Sequence, residues 1–394
     1  MSWEKVRLGD VTDSCLGKML DKAKNKGEYQ PYLANVDVRW GSFNLDDLSE
    51  MRFENDEQER YGLKYGDLVI CEGGEPGRCA IWKDQIPNMK IQKALHRVRV
   101  HDCLDYRFLY YWFLLAGKTG ALEQYFTGST IKHMPGEKLK SVLIDIPPIE
   151  VQWHIANILW TYDDLIENNQ RQIKLLEEAA QRLYKEWFVD LRFPGYETTP
   201  IVDGVPEGWK KDSLGSICTL KKDTVSACKI PIGTPYIGLE HMPRADFCLS
   251  SWGNAEDVTS NKFKYTEDDI IFGKIRPYFH KVGFTLNSGV VSTDSFVLKA
   301  NDGLWGLLLM TVFDKLFVDY TYQTCKEGAK MPRADWAQME KYPILIPSES
   351  IRQEFEEFIW NNTRRVKVLA LQNHILAEAR DRLLPKLMSG EIEV

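Results

Sequence analysis

Gly117-Lys118-Thr119 ends like a phosphate-binding loop, in which backbone N–H groups and a lysine cradle phosphate oxygens. Such a loop needs a glycine five positions before Gly117; Trp112 stands there, in a stretch patterned as helix. Asp145-Ile146-Pro147-Pro148 has the diproline of amino-methyltransferases, but that chemistry needs an aromatic directly after it to stack on a flipped base. The next residue is Ile149, and no glycine-rich cofactor loop follows a strand nearby. Glu137, Lys138 and the scattered acids lack the convergence that a divalent nuclease ion requires. The 7 histidines are too dispersed for a triad or metal cluster. The 8 cysteines include no Cys-x-x-Cys pair and read as reduced, packed thiols. The chain therefore reads as non-catalytic, with no metal and no cofactor of its own.

The elements around these residues come from a chain of 394 residues, 44% hydrophobic and 12% aromatic, enough for two or three cores. Its longest apolar stretches, such as Phe108 to Ala116, are too short to span a bilayer, and the start lacks a secretory pattern. The expectation is a soluble cytoplasmic protein with no membrane partner. A formal charge of -7 argues against coating nucleic acid nonspecifically, which requires neutralising many phosphates. Any anion-binding face must concentrate its cations locally or share the task with a partner.

The chain is an internal repeat. Trp3 and Leu8-Gly9-Asp10-Val11 recur as Trp209 and Leu214-Gly215-Ser216-Ile217. Gln30-Pro31-Tyr32-Leu33 recurs as Thr234-Pro235-Tyr236-Ile237, and Gly66-Asp67-Leu68-Val69-Ile70 as Asp268-Asp269-Ile270-Ile271-Phe272. The offset drifts until Gly128-Ser129-Thr130 meets Gly328-Ala329-Lys330, then holds through Ile144-Asp145-Ile146-Pro147 against Ile344-Leu345-Ile346-Pro347 and Arg182-Leu183 against Arg382-Leu383. Each half runs through short β-like segments, an aromatic helical stretch, an Ile-x-Ile-Pro exit and a long helix. Drift inside the globular part and constancy along the helix indicate that helix length matters.

After Pro147-Pro148 no Pro or Gly interrupts the sequence as far as Trp187. Ile155, Tyr162, Asn169, Leu176 and Leu183 form one heptad position, and Leu159, Ile166, Ile173, Ala180 and Trp187 the other, the alternation of a coiled-coil seam. The second half repeats it with Phe355, Ile359, Asn362, Val366, Leu369, Asn373, Leu376, Arg380, Leu383 and Leu387. Asn169 opposite Asn362 or Asn373 would fix the register. Because a whole globular segment separates the helices, they are expected to pair antiparallel, over roughly 55 Å at 1.5 Å per residue. The expected division is 1–150 and 207–347 for two recognition domains, 151–190 and 348–394 for the helices, and 191–206 for a Pro/Gly-rich linker.

These motifs together resemble the specificity subunit of type I restriction-modification systems, over essentially the whole chain. The resemblance is carried by the Trp-led start of each half, Gly66-Asp67-Leu68-Val69-Ile70 leading to Gly77-Arg78, and Gly128-Ser129-Thr130-Ile131-Lys132. It is carried further by Ile146-Pro147-Pro148-Ile149-Glu150-Val151-Gln152, the helix from His154, and the closing Leu383-Leu384-Pro385-Lys386-Leu387-Met388-Ser389-Gly390-Glu391-Ile392. In the second half Ser348-Glu349-Ser350 departs from the usual Pro and acid, and Gly328-Ala329-Lys330 lacks the Ser-Thr pair.

The resemblance implies mixed α/β target-recognition domains in tandem, related by a pseudo-twofold repeat and alternating with an antiparallel coiled coil. Each domain reads one half of a bipartite duplex target, and the helices act as a ruler. It implies two modification subunits that bind S-adenosylmethionine and methylate adenine N6, and restriction subunits that use ATP and Mg to cleave DNA. The other reading of a duplicated non-catalytic chain is a protein-interaction scaffold that reads no DNA. Base and phosphate contacts call for Arg, Lys, hydroxyl and aromatic groups on exposed loops. The candidates are Arg78, Ser129, Thr130 and Lys132 in the first half and Lys274, Arg276, Tyr278, Lys281, Lys330 and Arg333 in the second.

Overall fold

The computed structural model of the chain describes residues 3–21, 25–326 and 330–394; Gly328 and Ala329, part of the repeat, lie outside the described residues. The chain divides into two compact units, Met1–Asp164 with Leu376–Val394, and Leu165–Ile375. Each long helix contributes residues to both.

In the first unit the apolar run Leu68–Cys71 is buried along its whole length, as expected of a strand covered on both faces. It lies inside a four-stranded antiparallel sheet ordered Thr12–Leu16, Leu95–Val100, Leu68–Cys71, Cys79–Ile81. Glu28–Leu33 forms a second small sheet, antiparallel to Glu50–Phe53 and parallel to Lys90–Ile91. The aromatic stretch is helix α1, Tyr106–Thr119. Its start is fixed by Asp105, whose carboxylate accepts from the N–H groups of Arg107 and Phe108 at 2.8 and 3.1 Å, and its end by Gly120 in the left-handed region. Its Phe108, Tyr111 and Phe113 enter the core. The exit strand Leu143–Ile146 pairs antiparallel with Glu4–Arg7 and stops at Pro147-Pro148.

The second unit repeats this order: Cys218–Lys221, Ser295–Ala300, Ile270–Gly273 and Val282–Thr285, with Cys248–Leu249 added parallel at the far edge. Pro235–Ile237 runs parallel to Gly289–Val291, as Glu28–Leu33 does to Lys90–Ile91. Lys210–Ser213 pairs with the exit strand Pro343–Ile346. The repeat read from scattered motifs is thus a repeat of strand order and register. One difference is local: the aromatic helix breaks at Asp314 into α3, Trp305–Phe313, and α4, Lys315–Gln323, because the extended Asp314 caps the N–H of Leu316 at 2.8 Å. The linker stretch carries a two-strand hairpin, Ile201–Val202 with Val205–Pro206, and Phe193 packs on Trp209 at 4.6 Å.

The long helices are α2, Ile149–Tyr184, and α5, Glu349–Met388. In the first unit Ile155, Ala156 and Leu159 share one core with Leu384, Leu387 and Met388. In the second, Ala180 shares a core with Phe355, Ile359, Val366 and Ala370. There Asn169 meets Asn373 while Tyr184 lies beside Phe355, so the two helices run antiparallel. Tyr162, Ile166, Ile173, Leu176 and Leu183 on α2, and Leu369, Asn373, Leu376 and Leu383 on α5, are half-buried, the shielding expected of a seam.

Candidate nucleic-acid interface

In the first unit the loop 72–78 leaves the buried strand Leu68–Cys71 and turns on Gly74 and Gly77, both at positive φ. Gly77 sits at φ 92°, which requires glycine, and a Cβ there would also push on the end of the Leu122 side chain, whose Cδ1 would lie at 2.4 Å. Met134 N–H donates to the Glu72 carbonyl at 2.7 Å, and Thr127 and His133 exchange backbone bonds at 2.8 and 2.9 Å. Two loops some fifty residues apart in sequence therefore form one surface. Ser129, Thr130 and Lys132 are exposed on it. Lys132 stands 5.8 Å from the Phe126 ring and 3.6 Å from Glu123.

Arg78 is placed differently from its loop-tip neighbours. Its Nη1 donates to Glu75 at 2.9 Å, and its Nη2 donates to the carbonyl and Oδ1 of Asn35 at 3.1 and 3.0 Å. With a side chain 17% exposed, it braces the loop from beneath.

The second unit joins the corresponding loops. Arg276 N–H donates to the Pro332 carbonyl at 2.8 Å and Ala334 N–H to the Lys274 carbonyl at 2.9 Å. Arg276 and His280 both sit at φ 51°, a conformation that costs a non-glycine residue energy; the Pro332 bond holds Arg276, and bonds to the Pro277 carbonyl and from the Ala245 N–H hold His280. Tyr278 and Lys330 are exposed, Tyr278 lying edge-on to Tyr322 at 5.2 Å. Arg333 is exposed and pairs with Asp294 at 2.9 Å. The Arg276 guanidinium carbon lies 5.8 Å from the Phe279 ring centroid.

Lys274 and Lys281 fold back into the unit. Lys274 Nζ donates to the Thr293 carbonyl at 2.7 Å and lies 4.4 Å from the Phe296 ring, and burial lowers its pKa. Lys281 donates to the Leu239 carbonyl, and burial lowers its pKa too. His280 donates from Nε2–H to the Phe313 carbonyl at 2.7 Å, and burial holds its pKa down, favouring the neutral ring. The sequence reading missed Lys222, an exposed cation near enough for its charge to act on Lys274 together with that of Arg333. It also missed Glu75, Trp40 and Asn35, which meet through contacts distant in the chain.

Gly117-Lys118-Thr119 is the last turn of α1, and Lys118 pairs with Asp381 instead of facing a loop. Among the described residues no group of three or more His, Cys, Asp or Glu is arranged to hold a metal ion. No helix among them is long and apolar enough to cross a membrane.

The profile of the type I restriction modification DNA specificity domain matches residues 1–178. The chain is 28% identical over 353 residues to the type I restriction enzyme MjaIX specificity subunit of Methanocaldococcus jannaschii, spanning 84% of this chain and 78% of that relative. It is 21% identical over 463 aligned positions to the type I restriction enzyme HindI specificity subunit of Haemophilus influenzae, spanning 99% of each. Among solved structures, the type I restriction-modification S subunit from M. genitalium superposes with a TM-score of 0.58 at 16% identity, over 98% of this chain and 96% of that one. At that identity the likeness is one of fold.

Proposed function

The chain belongs to the specificity subunits of type I restriction-modification enzymes, a non-catalytic class, and from that premise we propose that it reads a bipartite DNA target, one half-site per unit. The observation that carries this reading is the repeated loop junction. In each unit two loops distant in sequence are bonded into one surface that exposes hydroxyl, cationic or aromatic groups: Ser129, Thr130 and Lys132 in the first, Tyr278, Lys330 and Arg333 in the second. Such groups position phosphates and read base edges. A net charge of -7, with Lys132, Lys330 and Arg333 exposed at the joined loops, suits selective reading better than nonspecific coating.

The subunit works with other subunits on DNA. Two modification subunits would bind S-adenosylmethionine and methylate adenine N6, while restriction subunits would use ATP and Mg. A protein-facing surface supports such assembly: in the second unit Leu175 and Val368 are exposed beside a cavity of about 610 Å³ also lined by Gln172, Arg364 and Gln372. Exposed apolar residues rimmed by polar ones mark interaction sites.

The test is selection of duplexes from a random pool by the assembled enzyme at salt of about 200 mM, where nonspecific affinity collapses. Enrichment of a two-part motif is expected. Retention without sequence preference would favour a scaffold that reads no DNA.

A further inference from the structure

Glu75 is an exposed carboxylate without the freedom of one. Its side chain is 54% exposed, yet Trp40 Nε1 donates to Oε1 at 2.7 Å and Arg78 Nη1 donates to Oε2 at 2.9 Å. Both donors are themselves fixed. Asn35 holds Arg78 through two hydrogen bonds and donates its own amide to the Gly73 carbonyl at 2.8 Å, which ties the bracing back to the same loop. Trp40 lies over Gly117, where a Cβ would meet the ring at 2.7 Å. Freezing a rotamer-rich surface glutamate costs entropy that solvent exposure does not return. The arrangement therefore points to a task for the fixed oxygens.

The surroundings narrow that task. Glu75 borders a cavity of about 570 Å³, together with Phe126, Thr130 and Lys132 from the second loop of the first unit's interface. A carboxylate on this surface repels phosphate, so it contributes to binding only where it faces a base edge. Each of its oxygens has accepted one bond and retains a lone pair. In the major groove the base group that suits a carboxylate is the exocyclic amine of cytosine.

We propose that Glu75 is a specificity-determining residue, accepting a hydrogen bond from cytosine N4 in the half-site read by the first unit, with Trp40 and Arg78 as positioning residues. This rests on the DNA-reading function proposed above. It assigns Arg78 the role of aiming an acceptor at the base instead of touching DNA itself.

The experiment co-expresses the full chain with its modification subunit and maps the methylated motif for the wild type, Glu75→Ala, Glu75→Gln and Trp40→Phe, with assembly checked by gel filtration. The wild-type half-site should contain a cytosine whose preference drops by about tenfold or more in Glu75→Ala. The other half-site should stay unchanged. Glu75→Gln, which keeps the side chain's size, should shift that position toward adenine, and Trp40→Phe, which keeps the ring and removes the donor, should relax the same position less. Assembled Glu75→Ala or Glu75→Gln with the wild-type motif would overturn the assignment, as would relaxation at a position that is not cytosine. Absence of any motif with the wild-type complex would instead overturn the DNA-reading function beneath it.

Discussion

Asn169 donates its side-chain amide to Oδ1 of Asn373 at 2.9 Å across the helix pair of the second unit. Asn169 is buried, and Ile173 and Leu176 follow it along the seam, so displacing either helix would leave a shielded amide without its partner. Asn362, another polar seam residue of α5, has no hydrogen-bond partner for its buried Nδ2 among the described residues.

The Asn pair makes a prediction that separates pairing from bulk hydrophobicity. Asn169→Leu strands the Asn373 oxygen and should cost about 1–3 kcal/mol in urea unfolding. Adding Asn373→Leu should restore the loss, because an apolar pair leaves nothing unsatisfied. Equal stability of the single and double variants would show that the two amides are independent.

Asp163 is the corresponding polar anchor of the first unit. It accepts from Arg380 on α5 and from the Tyr111 hydroxyl of α1 at 2.6 Å. Burial and then the Asp163 charge push the Tyr111 phenol far up, keeping it a donor. Arg380→Met should destabilise the protein by about 3 kcal/mol, the low end for a broken buried pair, because both side chains retain some solvent. Adding Asp163→Asn should recover more than half of this by removing the orphaned charge. Calorimetric unfolding of the three variants checks the order.

Glu177 on α2 supplies a pH dependence. It is 4% exposed and accepts from the Phe247 N–H at 3.2 Å, with Asp246 as its charged neighbour, whose own charge is acted on by Lys174. Burial, then repulsion from Asp246, pushes its pKa from 4.5 up to about 8. Between these values the folded protein holds a proton that the unfolded chain releases. The resulting stability is complete below 4.5 and is lost as pH rises through about 8. Relative to Glu177→Gln, the wild-type melting temperature should fall between about pH 5 and pH 8 and level off above that. Parallel profiles would contradict this account.

What the sequence made legible was whatever repeats locally. The seam from Ile155 to Leu183 follows from heptad spacing, and the duplicated sheets from Leu68-Val69-Ile70 and its counterpart Ile270-Ile271-Phe272. The loop pairs carrying Ser129 and Arg333 were recognisable as loops, but their joining depends on backbone bonds such as Met134 to Glu72. Lys274 and Lys281 looked like free cations because spacing does not reveal that their ammonium groups turn back on carbonyls. Arg380 fell in an apolar register and so called for a partner; Asp163 lies outside the heptad positions that would have named it. Glu356 is a similar case: it accepts from the N–H groups of Gly306 and Leu307 at 2.7 and 2.8 Å, capping a helix whose own N-cap, Leu304, supplies no side-chain acceptor.

The most direct test of the central claim is to map methylated adenines across a genome in cells expressing the modification subunit with and without this chain. The account predicts a two-part motif that appears only when the chain is present and whose halves change independently when one unit is exchanged. An assembled, methylation-competent complex without a motif, or a motif unchanged when the chain is removed, would contradict it.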